Sequence, residues 1–194
     1  MKESLTHIFL DAFLINNFVL CTFLGMCSFL GLSGKFATAW RMGVSVMFVI
    51  TVSSVLSWFT NLLLIEFHAE YLRIIVFIVI IAAVVQLTEM FIKKNSPALF
   101  RELGVYLPLI TTNCAVLAVP LFQTSRTYTL LQSTVFSVAA GGGYCAAIVL
   151  LSLVRERVEL SDVSALARGT ALTLILAAIL SMAFMGFAGM GNAS

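Results

Sequence analysis

The chain has 194 residues, 61% of them hydrophobic and only 10% charged, with a mean hydropathy of +1.08. A water-soluble domain of this size needs far more charge to cover its surface. The net charge of +2 does not point to nucleic acid, because the basic residues are scattered among the connections and form no patch.

The charges separate apolar stretches. Charge-free runs extend from Ala12 to Gly34, Met42 to Ile65, Leu103 to Ser125, Thr127 to Val154 and Gly169 to Ser194, with a shorter one from Ile74 to Thr88. A spanning helix needs about 20 apolar residues. Segments of this length exclude a transmembrane β-barrel, whose strands are short and alternating. The pattern predicts an all-α integral membrane protein with six spans, at about 8–31, 42–64, 71–92, 97–122, 128–154 and 169–190. Together they make one domain over 1–194.

The first span follows Met1-Lys2-Glu3 with no small-residue cleavage site, so it is expected to stay as a helix. It carries Asn16, Asn17, Cys21, Gly25 and Cys27. The third span holds Gln86 and Glu89, and Glu89 lies one turn before Lys93, the spacing of an interfacial ion pair. The fourth opens on Ser96 as N-cap and Pro97 at its first position, then passes Pro108, Thr111, Thr112, Asn113 and Cys114. In the fifth, Gly141-Gly142-Gly143 reads as helix contact, and Cys145 beside Ala139, Gly143 and Ala147 as part of a small-residue seam. His7 and His68 lie at the outer boundary. The segment Arg155 to Gly169 is an interfacial turn or a docking surface for a soluble partner, and no phosphate-cradling loop occurs anywhere.

Eight of the eleven basic residues fall in the odd-numbered connections: Lys35, Arg41, Lys93, Lys94, Arg101, Arg155, Arg157 and Arg168. The positive-inside rule makes these connections cytoplasmic and both termini outward. Three spans per half then place the second half upside down. The halves, about 8–92 and 97–190, are candidates for a 3+3 inverted repeat.

In that arrangement Cys27 and Cys114 correspond. Two readings stand for them: half of a soft-metal or iron–sulfur site on the pseudo-twofold axis, or small apolar residues in helices. A cluster needs four thiolates, so a second chain would supply two. Cys21 and Cys145 read as packing residues. Each of Cys27 and Cys114 lies about 19 residues into a span running in opposite directions, which in straight helices leaves the thiols more than about 20 Å apart. A shared site therefore requires helices 1 and 4 to be broken ahead of their cysteines. Gly25, Pro108, Thr111, Thr112 and Asn113 offer the means.

Several runs carry a resemblance: Ile15-Asn16-Asn17-Phe18-Val19-Leu20, Phe23-Leu24-Gly25-Met26-Cys27, Val85-Gln86-Leu87-Thr88-Glu89-Met90 and Leu107-Pro108-Leu109-Ile110-Thr111-Thr112-Asn113-Cys114. With Arg155-Glu156-Arg157, Ser161-Asp162-Val163, Arg168-Gly169 and Ala183-Phe184-Met185-Gly186-Phe187, the chain resembles the A-type membrane subunits of the Rnf ion-translocating electron-transport complexes over nearly its whole length. The paralogous E-type subunits of the Nqr complexes share many of these motifs, but Asn16-Asn17-Phe18 and the short outer loop near Glu66 favour Rnf. Gly34 and Ser164 depart from the family pattern. The resemblance implies a multi-pass subunit of a bacterial inner-membrane oxidoreductase, with no complete active site of its own. It implies movement of Na⁺ or H⁺, partners among the B-, C-, D- and G-type Rnf proteins, and a [2Fe–2S] cluster shared with an inverted homologue, the E-type Rnf protein. The ligand role carries over onto Cys27 and Cys114. Two other classes remain open: a non-redox secondary transporter and a scaffold.

Overall fold

The computed structural model describes residues 4–27, 36–68, 70–95, 110–160 and 169–188. Those residues form helices and turns, without a strand. Helix α1 (Leu5–Leu10) runs directly into a π-helical turn, Asp11–Ile15. Then follow α2 (Phe36–Glu66), a 3₁₀ turn (Glu70–Leu72), α3 (Arg73–Asn95), α4 (Cys114–Ser125), α5 (Leu130–Glu159) and α6 (Thr170–Ala188). Phe36–Glu66, Arg73–Phe91 and Leu130–Val158 are long and apolar enough to cross a membrane. Leu5–Ile15, Cys114–Ser125 and Thr170–Gly186 are shorter apolar helices.

The second, third, fifth and sixth predicted helices appear with ends moved by a few residues. The largest difference is at the start of α2, which begins at Phe36 rather than near 42. Its 31 residues exceed the roughly 20 that a perpendicular crossing needs, so a tilt accommodates the excess.

Helices α2 and α5 form the spine, with the most extensive contact in the fold. Small residues let them approach. A Cβ on Gly43 would stand 2.5 Å from Sγ of Cys145, and one on Gly141 2.9 Å from Cγ of Met47. Such backbone proximity is how membrane helices gain dispersion energy when lipid is as apolar as their side chains. Cys145 is buried at this contact, in the packing role expected of it.

A second set of contacts is polar. Gln123 of α4, 1% exposed, accepts at Oε1 from the hydroxyls of Ser54 on α2 and Ser133 on α5. Its Nε2 donates to the Ser54 carbonyl at 3.0 Å. The indole of Trp58 donates to the Tyr128 carbonyl, also at 3.0 Å. These bonds tie α4, and the turn that follows it, to the spine. By contrast α3 and α6 turn many apolar side chains outward, among them Ile75, Val79, Phe91, Met182 and Met185. Such faces suit lipid or a neighbouring membrane protein.

Candidate functional site

The first span does not continue as a helix to its cysteine. After the π-turn the chain leaves helical geometry at Asn16 and stays in turns until Met26. Asn17 organises this stretch. It is buried, its Oδ1 accepts from the Val19 N–H at 3.0 Å, and its Nδ2 donates to the Gly143 carbonyl on α5 at 2.8 Å. Further groups freed by the unwinding find partners nearby. The Phe18 carbonyl accepts from Leu24 N–H at 2.9 Å and from the Thr22 hydroxyl at 2.7 Å, and the Leu20 carbonyl accepts from Ser181 of α6 at 2.6 Å. Irregular backbone at membrane depth requires such compensation inside the protein. Gly25 follows at φ +90°, a conformation that side chains with a Cβ seldom adopt.

The fourth predicted span is interrupted as well. Ile110 and Thr111 are helical, Thr112 turns, and Asn113 is extended at φ −72° and ψ 116°. A new helix starts at Cys114, capped by Asn113, whose Oδ1 accepts from the Ala115 N–H at 3.0 Å. Both expected breaks are therefore present ahead of the cysteines. The first begins much earlier than Gly25, because Asn17 fixes it from α5. Ser96, Pro97 and Pro108 lie outside the described residues, as do Gly34, Ser164 and the Ser161 to Arg168 segment.

The two breaks meet. A Cβ on Gly25 would lie 3.1 Å from Oδ1 of Asn113, 3.5 Å from Cβ of Ala115 and 2.8 Å from Cε2 of Tyr144. Gly25 is two residues before Cys27, and Asn113 and Ala115 flank Cys114, so the backbones bearing the two thiols are brought together. Both cysteines are exposed. Cys114 also faces a cavity of about 590 Å³. Thr111, Thr112 and Leu24 border it on one side, Ile78, Ile81 and Ala82 of α3 on another, and Leu117, Leu121 and Phe122 of α4 complete it.

Cys27 and Cys114 supply soft thiol donors, and among the described residues no three His, Cys, Asp or Glu side chains gather to complete a metal site. The two thiols match half of the four such ligands that a tetrahedral iron pair needs. The helix beginning at Cys114 places its partial positive charge beside that thiol, which favours negative charge there. Cys21 does not share this place. It is exposed within the unwound stretch and its thiol donates to the Ile15 carbonyl at 3.1 Å.

Charged groups gather elsewhere. Asp11 and Arg126 pair at 3.4 Å, Asn16 donates to Asp11 at 2.7 Å, and Arg126 donates to the Tyr128 hydroxyl at 3.0 Å. That hydroxyl first, and Asp11 after it, hold the Arg126 guanidinium above its ordinary pKa. With Phe18, Thr22, Phe122 and Phe136 these groups enclose about 70 Å³. Sequence reasoning missed the pair; the only signal was that each residue borders a charge-free run. Glu89 is half-buried and shares a shallow cleft with Gln86, Met90 and Lys93. His7 and His68 are exposed.

Residues 5–191 match the family described as Rnf-Nqr subunit, membrane protein. The chain is similar to proteins named as the A-type subunit of an ion-translocating oxidoreductase complex. That of Serratia proteamaculans (strain 568) is 48% identical over 184 residues, covering 94% of this chain and 95% of that protein. Those of Yersinia enterocolitica serotype O:8 and Erwinia tasmaniensis are each 46% identical with the same coverage.

Proposed function

The chain belongs to the Rnf-Nqr family of membrane subunits, and we propose that it passes electrons within an ion-translocating oxidoreductase complex of the bacterial inner membrane. In this reading Cys27 and Cys114 hold one half of a [2Fe–2S] cluster, and a homologous inverted protein, the E-type Rnf subunit, holds the other. When bound, the cluster supplies a one-electron carrier inside the hydrocarbon layer. The observation that carries the proposal is the meeting of the two helix breaks, with Gly25 against Asn113 and Ala115.

The remaining roles belong to the chain. Asn113 starts α4 directly at Cys114, and Gly25 makes a positive-φ turn two residues before Cys27. The cavity beside Cys114 is lined mainly by apolar side chains, a setting that would lower the local dielectric around a bound cluster. The paired breaks support the 3+3 inverted repeat with halves at about 8–92 and 97–190, which a shared axis would relate. Six spans, both termini outward, coupling to Na⁺ or H⁺ movement and assembly with the B-, C-, D-, E- and G-type Rnf proteins complete the proposal.

The test is iron analysis and electron paramagnetic resonance of the co-purified pair of homologous subunits. The proposal expects two irons per pair and a reducible cluster signal. Iron-free pairs that still move ions in liposomes without an electron donor would instead establish a non-redox transporter.

A further inference from the structure

Tyr144 is among the largest fully buried side chains, at 1% exposed, yet it carries neither a thiol nor a charge. It stands on α5, the helix that also receives Asn17 at Gly143. Its hydroxyl accepts from Nδ2 of Asn113 at 3.0 Å. The other end of that amide holds the Ala115 N–H, so the tyrosine hydroxyl fixes the rotamer of the residue that starts α4. The ring does a second thing. Its Cε2 lies 2.8 Å from where a Gly25 Cβ would be, so the ring rests on the turn two residues before Cys27. One rigid side chain therefore touches the approach to both cysteines.

We propose that Tyr144 is a positioning residue for the two thiols, its ring setting the Gly25 turn and its hydroxyl locking the Asn113 cap. The separation of Cys27 and Cys114 is then dictated by α5, an unbroken helix of 30 residues, rather than by either interrupted segment. This is what a site needs when its ligands follow irregular backbone, because small displacements of a ligand weaken a metal centre. The inference rests on the shared-cluster reading, and its test keeps the two separable.

Two variants are compared in the assembled complex. Tyr144→Phe keeps the ring and removes the acceptor of the Asn113 amide. It is expected to reach wild-type abundance, lose its cluster to a chelator about tenfold faster and show an altered cluster line shape in paramagnetic resonance. Tyr144→Leu removes the ring. In iron-depleted membranes treated with a short bis-methanethiosulfonate reagent, it is expected to lower the yield of Cys27–Cys114 linked peptide well below that of the wild type. Wild-type chelation kinetics and line shape in Tyr144→Phe, together with undiminished cross-linking in Tyr144→Leu, would overturn the proposal. Should Tyr144→Leu fail to accumulate, the phenylalanine variant decides alone. If the wild-type complex holds no iron but its cross-linking depends on Tyr144, the positioning role stands and the cluster falls. An iron signal indifferent to Tyr144 has the opposite meaning.

Discussion

Replacing Gly25 by alanine tests the contact between the two breaks, and its cost can be built from two separate terms. The first is conformational: Gly25 sits at φ +90°, and a residue with a Cβ loses about 1–2 kcal/mol in left-handed backbone. The second is steric, since the new methyl would meet Cε2 of Tyr144 at 2.8 Å and Oδ1 of Asn113 at 3.1 Å. Overpacking of this kind costs about 1–3 kcal/mol. Both neighbours are nearly fully buried, so neither can retreat cheaply. Gly169 isolates the first term, having φ +88° with nothing within 4 Å. Gly186, with neither positive φ nor a neighbour within 4 Å, isolates helix propensity alone. The expected order of thermal stability for the purified complex is Gly186→Ala at or slightly above wild type, then Gly169→Ala, then Gly25→Ala. The last is expected to be lower than Gly169→Ala by roughly the steric term, about 1–3 kcal/mol. Gly25→Ala tolerated as well as Gly169→Ala would refute the meeting of the two backbones.

Other substitutions probe the frame around the site. Gln123→Leu leaves the hydroxyls of Ser54 and Ser133 without their shared acceptor, and is expected to destabilise the chain by about 1–3 kcal/mol, read from thermal aggregation in detergent. Asp11→Asn removes the charge opposite Arg126, whose side chain is 40% exposed. The loss is expected to stay below about 1 kcal/mol, and a collapse of folding would mean the pair bears more than a surface ion pair does. Reporter fusions after Asn95 and Ser194 are expected to report a cytoplasmic site and an outer site respectively, following the distribution of Lys and Arg. A cytoplasmic Ser194 fusion would overturn the topology.

Much of the helical plan was legible because charge is so costly in hydrocarbon that Arg41, Glu66, Arg73, Lys93, Arg126 and Arg155 must mark the ends of apolar runs. The breaks were legible for a geometric reason that rests on the proposed shared site: two thiols on oppositely directed straight helices could not reach one. Their extent was not. The first span unwinds from Asn16 because Asn17 bonds to a carbonyl on α5, at Gly143, 126 residues away, and no local propensity encodes a partner so distant. Tyr144 was passed over for a related reason, since a tyrosine in a charge-free run reads as packing until Asn113 and Gly25 are seen against it. Asp11 and Arg126 each look like a boundary charge in the sequence, and only the fold pairs them across 115 positions.

The most direct measurement of the central claim compares the four cysteines one at a time. Cys27→Ser, Cys114→Ser, Cys21→Ser and Cys145→Ala variants of the whole complex would be assayed for iron and for the paramagnetic signal of the membrane cluster. Serine is a harder donor than thiolate and holds iron poorly in a sulfur site. The account predicts that the signal disappears in the Cys27 and Cys114 variants and persists in the other two. A signal retained in Cys27→Ser or Cys114→Ser, or lost equally in all four, would contradict it.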